Sequence, residues 1–252
     1  MTTPSAKDIS AEWNRNAEAR CNQIETGKDI SHDKVLLPAI LRLAGRLDGM
    51  AVLDVGCGCG FLAGRIARRA DRVLGIDISE RMIEQASSRN QRSKLSFRCI
   101  SVQALARFNE LHFDLCVANM SVMTMPNLMG ALRAVRTLLD KSGVFIFSIT
   151  HPCFWNIYRK DEPSKRFDYW RGHAVTAPFR ITLDQKPLPA LTTYFHRPLS
   201  EYVLSVRRAG FVLEDLVEPK PPRTTSSAYR RVFPFPRFLV MHVRKLDGLN
   251  VK

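Results

Sequence analysis

A carboxylate followed by three glycines spaced two apart stands out in the stretch VLDVGCGCG, which holds Asp54, Gly56, Gly58 and Gly60. A glycine run closing an apolar segment makes a tight turn and lets the backbone approach a ligand, a device used for dinucleotides and for other nucleoside cofactors. The dinucleotide fingerprint G-x-G-x-x-G requires its third glycine at position 61, and position 61 is Phe. A carboxylate leaning into the turn repels a pyrophosphate and suits an ammonium group. Asp77 follows 23 residues after Asp54, in VLGIDIS. At the end of a second apolar run, a carboxylate can accept both hydroxyls of a ribose. A nucleoside carrying a cation satisfies both. Cys57 and Cys59 form a C-x-C pair in the same stretch, but a structural zinc needs four ligands and no second pair has suitable spacing. No metal is expected.

Such residues need a scaffold that ends several strands along one edge. Short apolar runs alternate with helical patterns: MAVLDVG, FLAGRIARRA, DRVLGID, ERMIEQASSRN, LSFRCIS, FDLCVAN, LMGALRAVRTLLD and GVFIFSIT. The alternation predicts an α/β fold, a Rossmann-like, doubly wound, mostly parallel seven-stranded sheet with helices on both faces. Upstream, SHDKVLLPAILRLAG has helical spacing behind a Ser31/Asp33 cap signal. After Thr150 the period is lost in a stretch rich in aromatics, Pro and charge, which predicts an ordered lid. PLSEYVLSVRRAG then reads as a helix ending at Gly210, followed by strands in FVLEDLVE and RFLVMHVRK. The expected organisation is an N-terminal helical arm capping the ligand (1–34), a Rossmann-like core (35–151), an inserted lid (152–196) and a helix with the last strands (197–252).

With 252 residues, 45% hydrophobic and 25% charged, the chain can bury one sizeable core. No apolar run reaches the roughly 20 residues of a membrane span, and the N-terminus lacks a signal-peptide core, which predicts a cytoplasmic protein. The six cysteines are scattered and sit mostly in apolar runs, so reduced, buried thiols are expected. Lys and Arg number 38 against 24 acidic residues, a net charge of +14. The basic residues are dispersed over helix faces without a long basic run interleaved with aromatics, which favours a small-molecule partner over nucleic acid.

VLDVGCGCG and GIDIS match the first two motifs of the class I S-adenosylmethionine-dependent methyltransferases, and the resemblance runs from about Val35 to Arg244. It resembles in particular the small-molecule, methyltransferase type 11-like subgroup. That resemblance implies S-adenosyl-L-methionine as cofactor, with S-adenosyl-L-homocysteine as product. Asp54, Gly56, Gly58 and Gly60 would hold the methionine end, Asp77 the ribose, and Ile78 and Met82 would flank the adenine, with Cys57 also among the cofactor-binding residues. Where relatives commonly carry Asp-Ala to bond the adenine amine, this chain has Ser101 and Val102. Asn119 and Met120 would line the methyl-donor site, and Trp13 resembles the covering N-terminal helix of small-molecule members.

On the acceptor side, THPCF sends His151 out of the fifth strand at the ligand edge. It is a candidate general base or, alternatively, a shaper of the turn before Pro152. His196 and Tyr194 are further catalytic candidates. Phe154, Trp155, Tyr158, Tyr169, Trp170 and Phe179 would offer apolar and π surface to a planar acceptor. The expected reaction is methyl transfer to O or N of a small, aromatic or heteroaromatic metabolite. RNA methylation, with Cys153 in view, and a non-catalytic cofactor-binding protein are the alternatives.

Overall fold

The computed structural model describes residues 3–108, 110–154, 167–183 and 186–246. Five strands, β1 (Ala51–Val55), β2 (Arg72–Asp77), β3 (Leu95–Cys99), β4 (Phe113–Asn119) and β5 (Leu139–Thr150), pair in parallel. Two more, β8 (Phe211–Val217) and β9 (Phe238–Lys245), complete one seven-stranded sheet of order β3-β2-β1-β4-β5-β9-β8, with β9 antiparallel to both its neighbours. The central strands read as near-continuous apolar runs because both faces are covered, as in parallel sheets generally.

Successive residues serve opposite faces. Leu53, Leu74, Phe145 and Phe147 face a core shared with α5 (Val102–Leu105), α6 (Leu128–Leu138) and α7 (Leu199–Arg208). Val52, Val73, Leu115 and Ile146 face another, built with α2 (Leu37–Ala44) and α3 (Phe61–Ile66). The period-2 alternation thus builds both layers from alternate residues of the same strands. The remaining α-helices among the described residues are α1 (Ala6–Glu25), α4 (Glu80–Arg89) and α8 (Ser227–Arg231). Among the described residues, no helix is long and apolar enough to cross a membrane.

Three local features differ from the sequence reading. The stretch SHDKVLLPAILRLAG opens as a π-helix, Ser31–Leu36, before α2 begins. Pro38 has no N–H to give and crowds the carbonyl four residues back, and a widened turn accommodates it. Neither Ser31 nor Asp33 caps this helix; the His32 N–H donates instead to Asp29 Oδ1 at 3.1 Å. Secondly, the aperiodic segment after Thr150 contains an antiparallel hairpin, β6 (His173–Pro178) with β7 (Leu191–His196). Thirdly, the expectation of reduced thiols fails at one pair: Cys21 of α1 and Cys59 of the glycine turn form a disulfide. The two lie 38 residues apart, and only the packing of α1 against the turn brings them together.

Phe147 is fully buried and stacks on Phe145 with ring centroids 5.0 Å apart. Phe147→Ala should therefore lower the free energy of unfolding by about 3–5 kcal/mol in urea titrations. Phe108→Ala, at a position 56% exposed, should stay within about 0.5 kcal/mol of the parent.

Candidate active site

The glycine turn leaves β1 and folds back on β2: the N–H groups of Gly56 and Cys57 both donate to Ile76 O, at 2.8 and 2.9 Å. Gly56 sits at φ +70°, and a Cβ there would meet Ser121 Cβ at 2.4 Å. Ser121 in turn donates to Val55 O at 2.6 Å, so the close approach of the turn to the residues after β4 admits no side chain at position 56. Gly60 has a different task. It begins α3 at φ +74°, and a Cβ would strike the Phe97 ring at 2.6 Å, so its lack of a side chain serves packing.

Two carboxylates flank the turn. Asp54 is 1% exposed, and its Oδ2 has no hydrogen-bond partner. Burial pushes its carboxyl up to about 7, against the Ala63 backbone N–H and with a further push from Asp77. Asp77 Oδ2 accepts from the Gly58 N–H at 3.0 Å and Oδ1 from the Ser79 N–H at 2.9 Å. Burial raises its carboxyl too, opposed by these amides. The Cys57 thiol is driven up by burial and by both aspartates, which holds it protonated.

Helix α1 roofs this edge. Ser10 donates to Ile78 O at 2.7 Å, and Asn14 Oδ1 accepts from Ser79 Oγ and from the Arg81 N–H. On its other flank, Glu12 takes the Thr193 N–H and hydroxyl, both at 2.7 Å. The roof is thus bonded to the core and to the β6–β7 hairpin, and beneath it lies a cavity of about 900 Å³.

Of the cofactor candidates, Trp13, Asp54, Gly56, Cys57, Gly58, Asp77, Ile78, Met82, Ser101, Val102, Asn119 and Met120 all line that cavity, while Gly60 does not. Ser101 Oγ caps α5 by accepting from the Ala104 N–H at 3.2 Å. Met120 is held at φ +58°, a strained position for a side chain, with its N–H donating to Ser148 O and Oγ. Ser148 Oγ also donates to Asn119 Oδ1 at 2.7 Å, which fixes the end of β4.

The acceptor-side candidates divide. Tyr194 and Phe179 line the cavity; His151, His196, Phe154, Tyr169 and Trp170 do not. His151 is buried with Nε2 2.8 Å from Glu218 Oε1, and its Nδ1 accepts from the Cys153 N–H at 3.3 Å. Both nitrogens are engaged at the turn, and burial lowers the imidazole's pKa against the pull of Glu218. His196 Nε2 bonds Tyr169 O at 2.9 Å beneath the Phe167 ring, and burial lowers its pKa as well. Trp170 is 81% exposed, and the Tyr169 hydroxyl accepts from the Leu199 N–H. Trp155 and Tyr158 fall outside the described residues. Sequence reasoning missed Thr150, Phe235, Phe238, Arg231 and Arg237, which also line the cavity. Thr150 and Phe238 occupy the carboxyl end of β5 and the facing start of β9, a pairing that no local pattern reveals.

A family profile described as a methyltransferase domain matches residues 53–147. A ubiquinone biosynthesis O-methyltransferase of Acinetobacter baylyi is 35% identical over 178 residues, covering 69% of this chain and 68% of that protein. The protein of the same description from Leptothrix cholodnii is 33% identical over 114 residues, 44% of this chain and 48% of its own. The chain thus spans about half the length of several curated relatives it matches. Among solved structures, an S-adenosylmethionine dependent methyltransferase from Mesorhizobium loti superposes with a TM-score of 0.61 at 20% identity, covering 82% of this chain and 96% of that one. The 1,6-didemethyltoxoflavin-N1-methyltransferase of Burkholderia thailandensis, solved with S-adenosylhomocysteine, gives 0.61 at 20% identity over 98% and 93%. The chain belongs to the class I S-adenosylmethionine-dependent methyltransferases. S-adenosylmethionine fits the residues present: a buried carboxylate oxygen without a partner awaits a cation at Asp54, the side-chain-free turn admits the ligand, and Asp77 stands ready for hydroxyls.

A cation against Asp54 favours its ionised form, so binding should expel the proton that Asp54 holds below about pH 7. Calorimetric affinity for S-adenosylmethionine should weaken roughly tenfold between pH 8 and 6, and Asp54→Asn should flatten that dependence. In the ligand-free protein the sign is opposite. The folded-state pKa lies above the unfolded one, so stability is greatest at low pH and declines as pH rises towards 7. Asp54→Asn should therefore stabilise at pH 8 and lose that advantage near pH 4, read as melting temperatures.

Proposed function

We propose that this protein transfers the methyl group of S-adenosylmethionine to an O or N of a small, aromatic or heteroaromatic acceptor by in-line displacement. The observation that carries the reading is a single cavity that joins the two carboxylates Asp54 and Asp77 to an aromatic region around Phe179, Phe235 and Phe238. When bound, the cofactor supplies an electrophilic methyl on a positively charged sulfur.

The chain's own residues do the rest. Asp77 and the Gly58 turn orient the nucleoside, Asp54 fixes the cationic end, and the α1 roof excludes water. Positioning of this kind accounts for ~7–11 kcal/mol of barrier reduction, more than the factor of about 10²–10⁴ from a general base. Two hydroxyls can hold the acceptor's nucleophile. Tyr194 lines the cavity from β7, and Thr150 Oγ1 is buried at the end of β5 without a hydrogen-bond partner. The names of the O-methyltransferase relatives support an oxygen nucleophile. For the cytoplasmic expectation the Cys21–Cys59 bond sets a condition, because disulfides persist mainly in oxidising compartments.

Labelled methyl from S-adenosylmethionine should enter a small-molecule extract and not total RNA; incorporation into RNA alone would replace this reading with the RNA alternative. Asp77→Ala should cost roughly 1.5–3 kcal/mol of S-adenosylhomocysteine affinity in calorimetric titration. Tyr194→Phe should leave that affinity within about twofold of the parent while turnover falls by about 10²-fold.

A further inference from the structure

The disulfide joins the roof of the cavity to its floor. Cys21 stands in the second half of α1 and Cys59 in the glycine turn, and both are buried, at 0% and 2% exposure. Ala17, Met82 and Trp13 pack around them, with Met82 Sδ 3.8 Å from Cys59 Sγ. Trp13 and Met82 line the cavity, so the bond lies among the residues that would close over a bound nucleoside.

The two halves of α1 are held by different means. In the first half Ser10, Glu12, Asn14 and Asn16 bond to Ile78, Thr193, Ser79 and Ala190. In the second half Arg20 bonds Gln23 and Asp29, which belong to the same arm, and Glu25 meets Arg89 of α4 at 3.2 Å in an ion pair largely open to solvent. An exposed pair of this kind contributes little. The covalent bond is therefore the firmest tie between this half of the roof and the glycine turn.

Its two sulfurs differ in access. Cys59 lines the cavity and Cys21 does not. Cys57 lines the cavity too, but burial and the charges of Asp54 and Asp77 hold its thiol protonated, which makes it a poor nucleophile towards the neighbouring disulfide. Exchange is left to thiols that enter the cavity from outside.

Resting on the methyl-transfer reading for the identity of the ligand, we propose that the Cys21–Cys59 bond is a redox latch on the cofactor end of the cavity. Oxidised, it keeps α1 ordered over the nucleoside pocket and raises affinity for the cofactor and its product; reduced, it releases the second half of α1 and lowers that affinity. The reductant is a small dithiol. Its thiolate attacks Cys59 Sγ, a mixed disulfide forms, and Cys21 leaves as a thiolate that takes up a proton. The second thiol of the reductant then closes on the first, which frees Cys59 as a thiol and the reductant as its cyclic disulfide. Two electrons pass from dithiol to disulfide, and the reverse exchange restores the bond. A ligand that binds under a roof already ordered loses less conformational entropy, and the coupling is reciprocal: the factor that the bond adds to affinity is the factor that bound ligand adds to the equilibrium constant for forming the bond.

The test titrates S-adenosylhomocysteine by calorimetry into the whole chain, oxidised and after reduction with dithiothreitol. The oxidised protein should bind about tenfold tighter. In parallel, the protein is equilibrated with mixtures of reduced and oxidised dithiothreitol, and alkylation of Cys21 and Cys59 is read by mass spectrometry. Saturating S-adenosylhomocysteine should lower the midpoint potential by about 30 mV, the same tenfold factor for a two-electron couple. Cys21→Ser should bind with the affinity of the reduced protein and show no response to dithiothreitol; the reduced parent supplies the same comparison should that variant fail to fold. Equal affinities of the two forms, a midpoint unmoved by ligand, or absence of the bond from protein purified without reductant would overturn the proposal. Binding that ignores the redox state removes the latch alone, whereas failure of S-adenosylhomocysteine to bind either form removes the latch and the methyl-transfer reading together.

Discussion

The structure turns on a carboxylate placed out of water with half its hydrogen-bonding capacity unmet. Asp54 could reach no solvent and finds no partner for Oδ2, a situation that costs free energy in the ligand-free protein. The cost is sustained because β1 is an interior strand, paired with β2 and β4, of a sheet covered on both faces, so the surrounding apolar packing fixes the residue where a loop would let it escape. A ligand cation removes the penalty. In the proposed reading, affinity for a charged nucleoside originates in this local instability, which the core sustains.

Around that point the molecule is arranged by distance along one edge. The antiparallel insertion of β9 beside β5 adds a further strand's width to the cavity floor, and with it the aromatic and basic residues that precede β9. The roof is assembled differently. Helix α1 buries polar groups, Glu12 and Asn16, and binds the hairpin through them rather than through a broad apolar face. Hydrogen bonds of this type are directional, so the helix sits in one register over the site, and the disulfide at Cys21 adds a covalent limit to its movement.

What the sequence discloses follows from how local each signal is. The glycine turn, Asp54 and Asp77 are legible because strand, turn and strand-end carboxylate lie within one short stretch each, and alternation of apolar runs is enough to derive the parallel core. Gly60 shows the limit of such reading. It belongs to the motif by spacing, yet its missing side chain answers to Phe97 on β3. His151 has the residue type and the strand-end position of a base, but Glu218, just after β8, and the Cys153 amide occupy its ring nitrogens, and Glu218 lies 67 residues away in the chain. Arg231, Arg237 and Phe235 were hidden for the same reason, since only the pairing of β9 with β5 carries the segment before it to the ligand edge. The β6–β7 hairpin escaped because HAVTAP and LTTYFH, short and separated by a long connection, show no strong alternation.

The position of β9 also has a bearing on the order in which the chain can acquire structure as it leaves the ribosome. Strands β1 to β5 can assemble with their helices as they emerge, each meeting a partner made earlier, apart from the exchange of β4 into the place beside β1. β8 cannot: its sole neighbour in the sheet is β9, which is synthesised after it. Until then β5 shows an open edge, and α7 and β8 are left without their place in the layer. The end of the cavity beside β9, where we place the acceptor, is therefore the last part of the cavity to form, so a nascent chain can complete the glycine turn and its two carboxylates before that end exists.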